Sequence, residues 1–389
     1  MKRITLVCQY YYPEKVSSSI LPYELASELA KEYDVRVLCG YPKEYSDETK
    51  VSKNDKINNV TVKRIKYLQL GRKNIIGRIL NIFSFCLAVV FKSGFLRKSD
   101  KVIVYTNPPL LPFTTAVLKK LYKYELYNVV YDVYPDVAVA FNVMSENGRL
   151  KKIYDRANNY TYKRCTKILT LCNEMKELFV NNKNCDPNKV AVIPNWYVND
   201  MTTRYVPNKR LKVLYGGNMG VAQDMQTILD TILLLKDEDI QFAFAGHGCK
   251  KDEVQAFIDS NNLKNVEMYG FLDKQDYEKL METCDIYIVS LDKLSYRLGS
   301  PSKFYSYLSM GRVILAIINK DSDIAKDINE YKCGYAIDND DSEHMAQILK
   351  TVTTKQLSEM AINARNLFEE KYTLVKSVEK FKEELNLNK

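Results

Sequence analysis

With 389 residues, 46% hydrophobic and 27% charged, the chain has a globular composition long enough for two domains, which excludes a disordered or low-complexity polypeptide. Nine scattered cysteines, none in C-x-x-C spacing, and only two histidines, His247 and His344, exclude a disulfide frame, a zinc site and a histidine-based metal centre, and read as the reduced, mostly buried thiols of a cytoplasmic protein. The formal net charge of +9 suits anionic partners such as phosphorylated substrates or lipid, but no recognised nucleic-acid module accompanies it, so nucleic acid is not expected.

The opening RITLVCQY reads as a buried strand entering a polar loop, without the apolar core or cleavage site of a signal peptide. ILPYELASELAKEY follows as an amphipathic helix with apolar residues at 20, 21, 25, 26, 29 and 30, and DVRVLCGY as the next strand. Residues 63–78 then carry Lys63, Arg64, Lys66, Arg72, Lys73 and Arg78 without an acid. The uncharged stretch 79–91, ILNIFSFCLAVVF, comes next and is closed by Lys92, Arg97 and Lys98. It is too short to span a bilayer core, which takes about 20 residues. A basic-flanked apolar helix of this length suits an interfacial position on an anionic leaflet, and equally a buried core helix with solvated flanks; periodicity does not separate the two. KVIVYTN, YNVVYDVYP and TKILTLC are later strands between helical patterns, which implies a parallel sheet with both faces covered.

VAVIPNWYVNDMTTRYVPNKR (190–210), rich in proline and asparagine, reads as a domain linker. The alternation restarts with strands at LKVLYGG, IQFAFAG, VEMYG and DIYIVSL and helices at DMQTILDTILLLKD, CKKDEVQAFIDSN, KQDYEKLMETC and SKFYSYLSM. VILAII and YKCGYAI read as two successive strands, and TLVKSVEKFKEELN as a last amphipathic helix. The expected fold is α/β, two doubly wound Rossmann-like domains facing a central cleft. Their bounds are 1–195, an N-terminal domain with a membrane-facing basic segment; 196–370, a C-terminal domain; and 371–389, a helix returning to the N-terminal domain.

Three glycine loops follow strands of the second domain: Gly216, Gly217 and Gly220 in LYGGNMG, Gly246 and Gly248 in FAGHG, and Gly270 in MYGFLD. Glycines let the backbone approach a ligand, and a following helix start can hold phosphate. In GSPSKFYSYLSMG, Ser300 reads as an N-cap and Pro301 as the first helical residue, with Ser302 and Lys303 in the first turn. A lysine there opposes the helix dipole, so an anion is expected beside it, and a nucleotide diphosphate fits best. A G-x-G-x-x-G fingerprint, a P-loop and a G-x-S-x-G elbow are all absent from the sequence.

GNMGVAQDMQTIL, FAGHG, GSPSKFYSYLSMGRVILA and VIPNW resemble the nucleotide-binding half of family 4 glycosyltransferases with the GT-B fold. YYYPEKVSSSILPYELASELAKEYDVRVL resembles their first strand, acceptor loop and first helix, and NPPLLP and YDVYPD resemble the subgroup that builds bacterial surface polysaccharides. The resemblance implies a retaining, metal-independent hexosyltransferase type of enzyme with no cofactor. It would move sugar from a nucleotide-diphosphate donor, UDP-sugar before GDP-sugar, to a lipid-linked saccharide in capsule, O-antigen or exopolysaccharide synthesis. It would work peripherally, on the anionic inner face of the cell membrane. The family's paired glutamates fall at Leu298 and Ser306, neither acidic, and its glycine pair after the first strand is replaced by Ser17 and Ser18. A silent GT-B subunit that binds a partner or membrane is the alternative.

The expected donor residues are Gly217, Asn218, Met219, Gly220, Gln223, Gly246, Gly248, Phe271, Ser302 and Ser306. Lys303 is expected to stabilise the leaving diphosphate, with Arg297 as a second cation. Asp132 is the candidate for acceptor contact or base, and Glu14, Ser17, Ser18 and Asp136 are expected at the acceptor. No metal site is expected: Asp338, Asp340 and Asp341 in DNDD read as a solvated turn.

Overall fold

The computed structural model describes residues 2–43, 46, 50–71, 75–198 and 205–387. The chain forms two compact units, Met1–Asn195 with Leu374–Lys389, and Trp196–Thr373.

The first unit is built on eight strands: β1 (Arg3–Val7), β2 (Asp34–Gly40), β3 (Asn54–Ile57), β4 (Val60–Ile65), β5 (Lys101–Tyr105), β6 (Glu125–Val129), β7 (Lys167–Thr170) and β8 (Val190–Val192). They are ordered β3-β4-β2-β1-β5-β6-β7-β8. All neighbours are parallel except the β3–β4 hairpin. The central strands carry apolar side chains on both faces, as a sheet covered on both sides requires; Ile4, Leu6, Val102, Ile103 and Val104 are wholly buried. The helices of this stretch are α1 (Ser17–Leu29), α2 (Ile75–Phe91), α3 (Leu111–Tyr122), α4 (Asp136–Ala140), α5 (Arg149–Arg164) and α6 (Asn173–Glu177). Two expectations change here. The helix expected from Ile20 begins at Ser17, because the Val16 carbonyl already accepts from Ser19 N and Ile20 N. The expected linker also starts too early: Val190–Val192 is the edge strand, registered on β7, and its apolar residues belong to the sheet.

The second unit pairs β9 (Leu211–Asn218), β10 (Ile240–His247), β11 (Val266–Tyr269), β12 (Ile286–Ser290), β13 (Val313–Ile317) and β14 (Gly334–Ile337) in the order β11-β10-β9-β12-β13-β14, all parallel. Its helices are α7 (Met225–Leu234), α8 (Lys251–Ser260), α9 (Lys274–Glu282), α10 (Lys303–Ser309), α11 (Asp323–Tyr331), α12 (Ser342–Thr351) and α13 (Thr354–Lys371). β13 and β14 were expected in direct succession, but α11 joins them. Ser322 caps it through a bond from Ala325 N, and Ile324, Ala325 and Ile328 bury one face, the crossover that two parallel neighbours need. The last helix, α14 (Leu374–Glu384), belongs to the first unit and packs on α1. It buries Val378 and Phe381, and Ser377 Oγ donates to the Pro194 carbonyl at 3.3 Å.

Candidate functional site

The donor-side candidates gather on the carboxyl edge of β9, β10 and β11. Met219 N donates to His247 O (2.7 Å), Lys250 N to Met219 O (2.9 Å) and Gly246 N to Gly270 O (3.1 Å), so backbone bonds tie three glycine loops together. Gly246 and Gly248 have φ of 145° and 148°, and a Cβ on either would fall on the carbonyl of Gly217 or Met219. Only glycine permits this approach, which brings the loop backbones to one small surface.

Lys303 stands beside that surface. Its Cε would lie 3.5 Å from a Cβ built on Gly217, and its ammonium lies 4.6 Å from the Tyr277 ring centroid and 3.4 Å from the Tyr277 hydroxyl. Tyr277 in turn meets Tyr307 OH at 3.3 Å, and Tyr307 donates to the Gly216 carbonyl at 2.7 Å. Gly216 has no room for a side chain, because a Cβ there would meet the Tyr277 hydroxyl. Among the described residues no carboxylate pairs with Lys303, so a half-buried cation faces the glycine loops with only aromatic support.

Several candidates do not stand as expected. Ser300 is not the N-cap: α10 starts at Lys303, Ser302 occupies the cap in a helical conformation without capping through its side chain, and Ser300 Oγ meets Tyr305 OH at 2.9 Å. The Met219 side chain is fully buried in the core, and its backbone N–H and carbonyl already bond His247 O and Lys250 N, so Met219 braces the loops. Gln223 Oε1 accepts from Gly220 N at 3.1 Å and so braces its own loop. Ser306 is buried and donates to the Lys303 carbonyl at 2.9 Å; only its lone pairs are left for a ligand hydroxyl. Leu298 is buried and apolar. Asn218 is exposed at the loop tip, and Phe271 is 80% exposed with its ring 5.9 Å from that of exposed His247, an open aromatic pair at the end of β11. Arg297 is half-buried in a left-handed conformation with φ of 69°.

Two residues escaped sequence reasoning. Tyr277, eight residues before Asp285 on α9, carries no spacing signal; only the fold brings it under Lys303. Lys250 lies against the first glycine loop, its Nζ 3.4 Å from the Gln223 carbonyl, and the basic pair after GHGC was the available signal. The aspartate-rich turn has structural partners: Asn339 Nδ2 donates to Asp224 Oδ2 (2.9 Å), Asp340 N donates to Thr227 Oγ1 (3.0 Å) and Lys293 pairs with Asp340 (2.6 Å). Asp224 caps α7; burial raises its pKa, but bonds from Asn339 and Thr227 outweigh this and hold it below the usual range.

In the first unit Asp132 follows β6, beside a small pocket also lined by Thr106, Asn128, Tyr134 and Asn158. Its side chain reaches solvent, yet the crowded wall around it desolvates the carboxylate and pushes its pKa up to about 6. Asn128 Oδ1, buried on the same wall, has no hydrogen-bond partner among the described residues. Asp136 behaves differently: both its oxygens receive Lys183 Nζ, at 2.6 and 2.7 Å, so its charge is already matched. Glu14 is buried and accepts from Lys43 N at 3.3 Å. Ser17 is exposed and Ser18 half-buried in the first turn of α1.

Residues 210–355 match the family model of glycosyl transferases group 1. The chain is 25% identical over 328 residues to the probable glycosyltransferase WbjE of Pseudomonas aeruginosa, covering 81% of this chain and 82% of that one. By structure it is similar to HepE of Anabaena, solved with UDP and glucose, at a TM-score of 0.72 and 13% identity over 99% of this chain and all of that one. It is also similar to the lipopolysaccharide outer core galactosyltransferase WaaB, at a TM-score of 0.67 and 12% identity over the whole of both chains.

Proposed function

We infer that this chain, a family 4-like glycosyltransferase of the GT-B fold acting in bacterial polysaccharide synthesis, transfers a sugar from a UDP-sugar to a lipid-linked saccharide with retention of configuration. The observation that carries the donor reading is Lys303, a half-buried cation without a carboxylate partner among the described residues, set against three fused glycine loops. HepE, solved with UDP and glucose, has the same fold and supports UDP as the nucleotide.

The chemistry follows from charge. As the bond from the sugar to the diphosphate breaks, negative charge grows on the leaving phosphate, and Lys303, beside the Gly217–Gly220 loop, stabilises it. The acceptor hydroxyl attacks the anomeric carbon, and its proton passes to the leaving phosphate. Asp132 of the first unit, ionised above about pH 6, contacts the acceptor saccharide. Phosphate charge is met by Lys303, so no metal enters; of the DNDD carboxylates, Asp340 pairs with Lys293 and Asp341 caps α12. The enzyme works at the cytoplasmic face of the cell membrane, on a capsule, O-antigen or exopolysaccharide precursor.

Incubation with individual UDP- and GDP-sugars and a lipid-linked acceptor, read by mass spectrometry in the presence of EDTA, tests this; a product heavier by one sugar is expected from a UDP-sugar. The absence of acids at Leu298 and Ser306 favours one rival, a silent subunit. Tight UDP binding with no product from any donor would decide for it.

A further inference from the structure

Helix α2 buries one face and exposes the other. Phe85, Cys86 and Val89 are buried, and Phe85 packs edge-on to Tyr67 at 5.1 Å. The opposite face is bare: Ile76, Ile79, Leu80, Phe83, Leu87 and Phe91 are all exposed, Phe91 to 75%. Their spacing places them on one stripe of a 3.6-residue helix. The stripe continues onto other elements. Leu70 N donates to Asn81 Oδ1 (2.8 Å) and Leu68 N to Ser84 Oγ (3.0 Å), which fixes exposed Leu68 and Leu70 beside α2. Helix α3 packs on α2 and exposes Val117 and Leu121; α5 packs on α3 and exposes Leu150 and Ile153. Soluble proteins rarely leave so many large apolar side chains together on one face.

The charges exposed around these helices are predominantly positive. Arg78, Lys92, Lys120, Lys123, Lys152 and Arg156 are exposed there. The nearby acids Glu146 and Asp155 both pair with Lys151, and Glu125 pairs with Lys101. Arg72 and Lys73, expected in the same basic segment, lie outside the described residues. A second copy of the chain would set these cations against themselves. An anionic leaflet complements them and asks for no directional hydrogen bond from the apolar stripe. None of the helices among the described residues is long and apolar enough to cross a membrane.

We propose that the exposed faces of α2, α3 and α5 form a single docking surface for an anionic lipid bilayer, with α2 lying flat at the headgroup boundary along its length of about 25 Å. The inference deepens the membrane part of the function read above and reaches beyond the basic segment to two further helices. It also gives the site an orientation. Pro112 of α3 and Asn158 and Tyr162 of α5 line the pocket that holds Asp132. A saccharide carried on a lipid at this surface is therefore delivered beside Asp132.

Sedimentation of the full chain with vesicles of equal parts phosphatidylglycerol and phosphatidylcholine tests the surface. The wild type is expected to bind at low salt and to leave the vesicles as salt is raised. Leu87→Ser with Phe91→Ser on α2, and separately Leu121→Asp with Ile153→Asp on α3 and α5, should each lower the partition at least about tenfold. The second pair leaves α2 untouched, so damage to that helix cannot mimic its effect. Circular dichroism and UDP affinity should be unchanged in both. A wild type that stays in the supernatant, or variants that bind as the wild type does, would overturn the proposal. So would a lipid-free dimer that the same substitutions abolish, since the face would then pair with itself. Salt- and variant-sensitive binding in a chain that transfers no sugar supports the docking surface and counts against the transferase reading alone.

Discussion

Replacing Lys303 by alanine removes the cation beside the glycine loops while sparing the core, because the side chain is half-buried and its ammonium touches only Tyr277 among the described residues. Two unit charges 4 Å apart interact by about 4 kcal/mol at the effective dielectric of a protein surface, which sets a ceiling. Water screens and replaces part of this, and the loss of a charge-assisted hydrogen bond typically costs about 1.5–3 kcal/mol. UDP affinity should therefore fall roughly 10- to 150-fold. The fold should barely change: the cation–π contact with Tyr277 contributes about 0.5–1 kcal/mol at such a site, a shift of no more than about 4 °C in Tm. Isothermal titration of UDP into both proteins, with EDTA present, reads the first quantity, and scanning calorimetry the second. Lys303→Arg should recover part of the affinity, since it keeps the charge but not the compact ammonium. An alanine variant that binds UDP within twofold of the wild type would refute the assignment of the diphosphate to this edge.

Tyr277→Leu should weaken UDP binding several-fold in the same titration, while Tyr277→Phe, which keeps the ring under the ammonium, should fall between it and the wild type; equal affinities would show that the ring does not position Lys303. Asp132 should give transfer an acidic limb near pH 6, with kcat/KM falling as the carboxylate protonates; Asp132→Asn should lower the rate, abolish the limb and leave UDP affinity intact. The same raised pKa means that the folded chain holds a proton which the unfolded chain releases between about pH 4 and 6, so this group's contribution to stability falls as pH rises through that window, and Asp132→Asn should raise Tm at pH 7 and not at pH 3. Asp340→Asn, which tolerates the left-handed φ of 66°, removes an exposed ion pair with Lys293 and should change Tm and rate little, and EDTA should leave transfer unaffected; activity lost to chelator and restored by manganese would overturn the metal-free mechanism.

The α/β character was readable because it rests on local pattern: buried strands such as RITLV and KVIVY and helices such as MQTILDTILL state their period within a few residues. The glycine loops and the lysine at position 303 were legible for the same reason, each a short signal with its own physical cause. Sequence reasoning also had the means to find α11, whose serine cap and apolar face are local, but passed over it. What neighbours decide was not legible. GNMG reads as one uniform loop, yet Met219 turns into the core while Asn218 stays in solvent, because the loop crosses from the β9 edge to the start of α7. Asp132 and Asp136 look alike in YDVYPD, and only the position of Lys183, 47 residues on, gives one a partner and leaves the other in a desolvating wall. Composition marked α2 as apolar with basic flanks, but the same composition serves a core helix. Which side is covered depends on what packs there, and the tertiary structure covers Phe85 and Val89 while leaving Phe83, Leu87 and Phe91 bare. Burial is a property of three-dimensional neighbours, and a single chain read along its length does not contain it.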